Sequence, residues 1–417
     1  MSAAKARLEH LWRRGREFLG TEVAILGGAM SWVSERHLVA AISNAGGFGV
    51  IACGSMTPEL LAREIEGTQA LTQKPFGVNL ITMHPQLSEL IDVCTKHQIG
   101  YVVLAGGLPT APSIAQVKEG GAKLLCFAPT PAFGRKLVRL GADALIIEGC
   151  EAGGHIGPVA TSVLAQEILP EIRDVPVFVA GGIGRGEAIV SYLEMGASGV
   201  QLGTRFVCAT ESIAHANFKK AFIRASARDA MPSVQVDPTF PVIPVRAINN
   251  DASRRFTLFQ HEVIDRFRKG ELDQKAAQLE IEHFWVGALR RAVIEGDVEA
   301  GSLMAGQSVG MVTAEQPTAE IIADLVAQAV KALSERLPAE EAVACGAVAP
   351  HSAFRKSFHF IPFRVPACCA ALYLALHSFA VSACADGTPP QAIAATKAMA
   401  QPKAERIIGN TPLLTLN

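Results

Sequence analysis

The sequence lacks a cysteine pair at metal-binding spacing, a basic tract and any marked charge imbalance, and only 6% of it is aromatic. Its nine cysteines are scattered without a CxxC, an odd number that suits reduced thiols better than a disulfide framework or a zinc site. Cys53, Cys126, Cys150 and Cys208 end or follow apolar runs, where a thiol acts as a small hydrophobe. With 38 Lys and Arg against 39 Asp and Glu, and a pI near 6.8, the chain has no electrostatic footprint for nucleic acid. The N-terminal segment to Glu17 mixes Arg, Glu and Lys without an apolar h-region. It reads as a short amphipathic helix leading into the fold, and a cytoplasmic location is expected. One apolar run, Ala367 to Ala385, follows Arg355, Lys356 and Arg364 at the lower length limit of a membrane span. A peripheral tail is expected there in preference to a membrane anchor.

What is present is apolar material and glycine: 49% hydrophobic residues and 37 Gly in 417, with a mean hydropathy of +0.27. Eight short apolar runs stand out: Val23–Ala29, Phe48–Cys53, Phe76–Ile81, Tyr101–Gly106, Lys123–Ala128, Ala144–Glu148, Val177–Ala180 and Gly199–Gly203. Helical spacing fills the gaps, as in Ser34–Asn44, Pro58–Leu71, Gln86–His97 and Arg185–Met195. Ser34 before Glu35, and Thr57-Pro58-Glu59, are helix-start signals. Continuous apolar runs indicate parallel strands covered on both faces, and eight of them alternating with helices indicate a (β/α)8 TIM barrel. A doubly wound sheet would place GxGxxG after the first strand, yet the chain reads Leu26-Gly-Gly-Ala-Met30 there.

The organisation expected is an α/β barrel over 1–205, a helical insertion after strand eight over 206–300, and a segment 301–338 holding a loop and the closing helix Thr318–Leu337. An irregular C-terminal extension, poorly ordered, is expected over 339–417. The insertion is marked by two long charged helices, Ala252–Lys269 and Leu272–Arg291.

Barrel active sites form in the loops at the carboxyl ends of the strands, and phosphates favour those after the seventh and eighth. Here these loops are Ala180-Gly-Gly-Ile-Gly184 and Gln201-Leu-Gly-Thr-Arg205. Glycine lets backbone amides approach an anion, and Thr204 adds a hydroxyl. The loop after the sixth run is Glu151-Ala-Gly-Gly-His155-Ile-Gly157, a histidine with glycines on both sides. An imidazole with that much room can exchange a proton with a ligand near neutral pH. A histidine alone is more often structural, so His155 is a candidate by its position.

Several segments resemble the nitronate monooxygenase family (2-nitropropane dioxygenases) and the similar enoyl-acyl carrier protein reductase II. They are GGAMSWVSERHLVAAISNAGGFGVI, KPFGVNL, EGCEAGGHIG, AGGIGRGEA, GVQLGTRF, PVRAINN and GSLMAGQ, in order between Leu26 and Leu337. The resemblance implies FMN held noncovalently in the barrel and a catalytic role for His155. It further implies that Gly28, Ala29 and Met30 line the isoalloxazine ring, that Asn79 hydrogen-bonds it, and that Glu148 and Gly153 flank it. Gly181, Gly182, Gln201, Leu202, Gly203 and Thr204 would hold the ribityl phosphate. Glu148 departs from the neutral amide of many relatives, and Ile156 supplies no charge beside His155. Trp32, Met83 and Met304, with Met30, are candidates for a substrate pocket, although methionine also fills cores. No metal is expected.

Two chemistries are open. A nitronate monooxygenase would oxidise alkyl nitronates with O2 to carbonyl compounds and nitrite. An enoyl reductase would use NAD(P)H as co-substrate and reduce a thioester-conjugated double bond on acyl carrier protein. Lys219-Lys220 and Arg254-Arg255 are the candidate docking charges, but such pairs usually form solvated helix faces, so nitronate oxidation is the expectation. A catalytically idle FMN-binding barrel serving a partner is a third possibility.

Overall fold

The computed structural model describes residues 2–237 and 242–336. The strands, in chain order, are β1 (Ile25–Gly27), β2 (Gly49–Ala52), β3 (Phe76–Ile81), β4 (Tyr101–Ala105), β5 (Lys123–Phe127), β6 (Ala144–Glu148), β7 (Gly154–His155), β8 (Val177–Ala180), β9 (Gly199–Leu202), β10 (Ala230–Pro232) and β11 (Val245–Ile248). Eight of them form one parallel sheet in the order β1-β9-β8-β6-β5-β4-β3-β2. A parallel bridge from Leu26 to Phe48 brings β1 back to the start of β2, so the sheet closes into a (β/α)8 barrel.

Alternation along the strands sorts side chains between two cores. Leu26, Phe48, Val50, Val103, Leu125, Ala144, Ile146, Phe178 and Ala180 fill the barrel interior. Their neighbours, such as Ile25, Ile51, Val78, Leu80, Leu145, Ile147, Val179 and Val200, point outward beneath the helices.

The N-terminal segment does more than lead into the barrel. It forms two helices, Ala3–Leu11 and Arg13–Leu19, and the second stoppers the amino end of the barrel. Leu19 joins the interior cluster, and the Phe18 carbonyl accepts from Tyr101 Oη and Lys123 Nζ, both at 2.8 Å. The Lys123 ammonium also lies 4.9 Å from the Phe18 ring centroid. A closed floor leaves the carboxyl-end mouth as the route into the barrel.

Helix starts show one correction. Thr57 caps Pro58–Leu71 through Leu60 N, as its sequence suggests. The next case differs: Arg36–Asn44 is capped by Glu35, whose carboxylate accepts from His37 N and Leu38 N. Ser34 instead folds the loop after β1, donating to Gly28 O and accepting from Met30 N.

The segment after β9 is not purely helical. It contributes Asp251–Arg268 and Gln274–Arg290, but also β10 and β11. These pair antiparallel with each other and with β7, giving a three-stranded sheet. Phe256, Val263, Ile264, Ala277, Ile281 and Trp285 form the insertion's own core, which Val245 joins from β11. Helix Thr318–Arg336 then packs against Gly186–Glu194 on the outer ring. Lys219 departs from the solvated face expected of it: it is buried, and its Nζ donates to Ala209 O and Glu315. Among the described residues no helix is long and apolar enough to cross a membrane. The apolar run Ala367 to Ala385 and the extension 339–417 lie outside the described residues.

Candidate active site

Three interior-facing polar side chains stand near the barrel mouth. Asn79 lies between outward-facing Val78 and Leu80, and Gln201 between Val200 and Leu202, so both amides turn inward. Glu148 continues the interior series of Ala144 and Ile146. None of the three side chains has a hydrogen-bond partner among the described residues. Their polar atoms are open at the mouth and unclaimed by protein partners, so the trio can meet a polar ligand. Glu148 keeps part of its surface open toward the mouth, yet it lies so deep among protein atoms that burial pushes its carboxyl up to about 7.

Beside the trio lie two turns rich in unused donors. Gly181 and Gly182 both have positive φ, 95° and 73°, and follow β8 directly. Among the described hydrogen bonds none takes its donor from the backbone N–H of Gly181, Gly182, Gly203 or Thr204. Consecutive left-handed glycines turn successive amides toward one point, which makes an anion nest. The Thr204 hydroxyl accepts from Gly306 N at 2.9 Å, which pins the loop from Ala305 to the second turn. Leu202 contributes only backbone, since its side chain belongs to the outer core.

Other residues singled out by sequence fall around this centre. A Cβ on Gly28 would stand 3.3 Å from the Gly203 backbone, so the loops after β1 and β9 touch there. Ala29 packs on the barrel interior, and Met30 lies over Gly203. Gly153 packs on Ala305 and Gly306, where a Cβ would come within 2.6 Å of backbone. Trp32 is half-buried with φ of 66°, and the Arg290 guanidinium lies 5.7 Å from its ring centroid. Met304 joins the barrel core to the insertion core, while Met83 is 71% exposed on the rim.

His155 sits on β7, exposed, directly opposite Val245 of β11. Opposed residues share a face, so its imidazole lies on the side of the insertion core that Val245 enters. The catalytic candidate thus stands between barrel and insertion.

The structure adds residues that sequence reasoning missed. Arg246, opposite Gly154, is buried and makes no salt bridge among the described residues. Its Nε donates to Cys150 O at 2.8 Å and its Nη1 to Ala230 O at 2.5 Å, and burial lowers its pKa. The one signal was an arginine inside the apolar run Val245–Ile248. Glu151 accepts from Thr161 N and Oγ1, both at 2.8 Å, and its side chain backs Gly182. Cys53, Cys126 and Cys208 are buried with thiols pushed up to about 12 by burial, which leaves them unreactive.

Residues 14–101 and 87–328 match the family model described as nitronate monooxygenase. The chain belongs to this family. It is 30% identical over 340 residues to a (3aS,4S,5R,7aS)-5-hydroxy-7a-methyl-1-oxo-octahydro-1H-indene-4-carboxyl-CoA dehydrogenase of Rhodococcus jostii (strain RHA1), covering 76% of this chain and 95% of the relative. Among solved structures, FabK from Thermotoga maritima is 35% identical with a TM-score of 0.69, covering 78% of this chain and 97% of that one. Nitroalkane oxidase from Streptomyces ansochromogenes is 26% identical with a TM-score of 0.64, covering 76% and 98%. Membership of the nitronate monooxygenase family makes the chain an oxidoreductase of the flavin type.

Proposed function

We propose that this family member binds FMN at the barrel mouth and acts as an oxidoreductase on acyl thioesters. The observation that carries the substrate class is the open, apolar rim. Met83 and Leu108 are 71% and 50% exposed in the loops after β3 and β4, and His155 is open to solvent. A long acyl chain would cover such a surface, whereas a short nitronate would leave it wet. The CoA-thioester dehydrogenase of Rhodococcus and FabK, an enoyl-acyl carrier protein reductase II, support the same class.

The unused donors and acceptors fit the cofactor. The amides of Gly181, Gly182, Gly203 and Thr204 would hold its phosphate, and Asn79, Gln201 and Glu148 would meet the polar edge of its ring. Bound FMN supplies the two-electron redox chemistry. His155 would give or take a proton at the carbon beside the thioester carbonyl, while the rim orients the chain and excludes water. NAD(P)H is the external reductant in the reductive direction, and the thioester is carried by CoA or acyl carrier protein.

A second reading is oxidation of alkyl nitronates with O2 to carbonyl compounds and nitrite, favoured by the family model and the nitroalkane oxidase likeness. Anaerobic mixing separates the two. The purified protein is expected to be yellow and to release FMN on heating. Bleaching by NADH or NADPH, followed by turnover of a crotonyl thioester, supports the first reading. Bleaching by ethylnitronate or propionate-3-nitronate alone, with nitrite released on admitting O2, replaces it with the second. A colourless protein that cannot be reconstituted with FMN would sink both and leave a barrel that serves a partner. His155→Ala should cut turnover and keep FMN; an unchanged rate would make His155 structural.

A further inference from the structure

We propose that Glu148 is a proton-coupled ligand of the cofactor: its carboxyl group is protonated in the FMN complex, donates to a carbonyl oxygen of the ring, and makes flavin binding take up one proton. The proposal rests on the cofactor reading above and adds a charge requirement to it.

Glu148 is the last residue of β6, and its interior position follows from Ala144 and Ile146 two and four residues earlier. Its interior polar neighbours at the mouth, Asn79 and Gln201, are uncharged amides without partners among the described residues. Among the described residues no cation pairs with the carboxylate. On β5, Lys123 is at the opposite end of the barrel and Cys126 points into the outer core. The neighbouring β8 carries no titratable residue. On helix Thr161–Ile168, Glu167 is exposed. In the surrounding loops Cys150 is half-buried, Glu151 is held by Thr161, and Arg246 by two carbonyl oxygens. His155 faces the insertion side from β7.

Burial alone already raises this carboxyl to about 7 before any ligand is considered. A flavin ring bound at the mouth would exclude the remaining water, and a carboxylate with neither water nor cation would give way to the neutral acid. Only the neutral acid can donate to a ring carbonyl. The acid form also places no fixed negative charge beside a ring that must accept electrons.

The test is the dissociation constant of FMN, followed by quenching of its fluorescence from pH 7 to pH 9 in the wild type and in Glu148→Gln. Above pH 7 the FMN phosphate is already largely dianionic, with its second pKa about 6, so it adds little slope. From pH 7 upward the wild-type Kd is expected to weaken, approaching roughly tenfold per pH unit, as uptake of one proton requires. Glu148→Gln, which carries a permanent donor, is expected to stay flat. Direct proton uptake by unbuffered wild-type protein on adding FMN, near one per site at pH 8 and about half that at pH 7, tests the proposal even if the variant does not fold. Parallel pH profiles for the two proteins, a wild-type Kd that tightens with pH, or FMN bound without proton uptake would each overturn the role of Glu148 and leave the cofactor reading intact. Wild-type protein that binds no FMN at any pH overturns both.

Discussion

Arg246 donates from Nε to the carbonyl oxygen of Cys150 at 2.8 Å, and so ties the strand that pairs with His155 to the start of the loop that carries it. The catalytic candidate is therefore held from two sides: by ladder pairing with Val245, and by a buried guanidinium reaching under its loop. A glycine-rich loop left to itself would sample many conformations, because glycine loses more backbone freedom on ordering than any other residue. The cost of burying an arginine without a direct salt bridge is offset by its hydrogen bonds to carbonyl oxygens and by the charge of nearby Glu151.

Replacing that clamp should separate loop geometry from cofactor binding. Arg246→Met is expected to lower kcat by about 10- to 100-fold, the scale of a misplaced catalytic group. FMN content should remain, since the donor-rich turns proposed to hold its phosphate lie elsewhere. Loss of two hydrogen bonds from a charged donor should also cost roughly 2–4 kcal/mol in urea unfolding. Arg246→Lys should recover part of the activity. Equal kcat in wild type and Arg246→Met would show that the loop holds its shape unaided.

The nest after β8 gives a prediction with the opposite signature. Gly182 has φ of 73°, and a Cβ there would stand 3.0 Å from the Cβ of Glu151. Gly182→Ala must therefore strain the backbone and push on Glu151. The expected stability cost is about 1–3 kcal/mol, the usual range for strain at such a site. FMN affinity should fall more than the stability loss explains, because the amides turn away from the phosphate. Equilibrium dialysis against FMN, beside a thermal melt, checks both parts. A melt shifted without loss of affinity would place the phosphate elsewhere.

Thr161 supports the same turn from behind. Its hydroxyl and its backbone amide both donate to Glu151, at 2.8 Å each. Thr161→Val keeps the shape and removes the hydroxyl donor, so the carboxylate keeps only the Thr161 amide and the Cys150 thiol. About 1–2 kcal/mol of destabilisation is expected, with a smaller loss of FMN affinity than in Gly182→Ala. Affinity reduced as far as in Gly182→Ala would mean that Thr161 itself touches the ligand.

Much of the barrel was legible because its signals are local. Eight apolar runs announce eight strands, and Thr57-Pro58 announces its helix within four residues. The glycine pair at 181–182 marks the first donor-rich turn, since its φ of 95° and 73° suits few other residues, and Gly203 before Thr204 marks the second. What stayed hidden depends on partners far along the chain. The strand Gly154–His155 is two residues long and exists only because Val245 and Arg246 pair with it some ninety positions later. No periodicity can be read from two residues. Ser34 looked like a helix cap, but Glu35 can take that place once Ser34 is drawn to Gly28 and Met30. Lys219 looked solvated until Glu315, ninety-six residues away, supplied its counter-ion. Local chemistry can be read from sequence; competition between local and distant partners cannot.

Glu148 ties site chemistry to the stability of the flavin-free protein. Its carboxyl titrates near 4.5 in an exposed chain and near about 7 in the fold, because burial disfavours the charged form. Between those two values the folded protein holds a proton that the unfolded chain has released, so stability falls as pH rises through this window. Below it both states are protonated, and the carboxyl costs nothing. Above it the full cost of a buried carboxylate is felt, on the order of 3 kcal/mol from the size of the shift. Glu148→Gln removes the titration and keeps the shape. In urea unfolding of flavin-free protein, the variant should match the wild type near pH 4.5 and exceed it by about 2–3 kcal/mol at pH 8. A difference that does not change between those pH values would mean that Glu148 is already ionised in the fold, hydrated through the mouth. A wild type more stable than the variant at pH 8 would mean that the carboxylate has a stabilising partner.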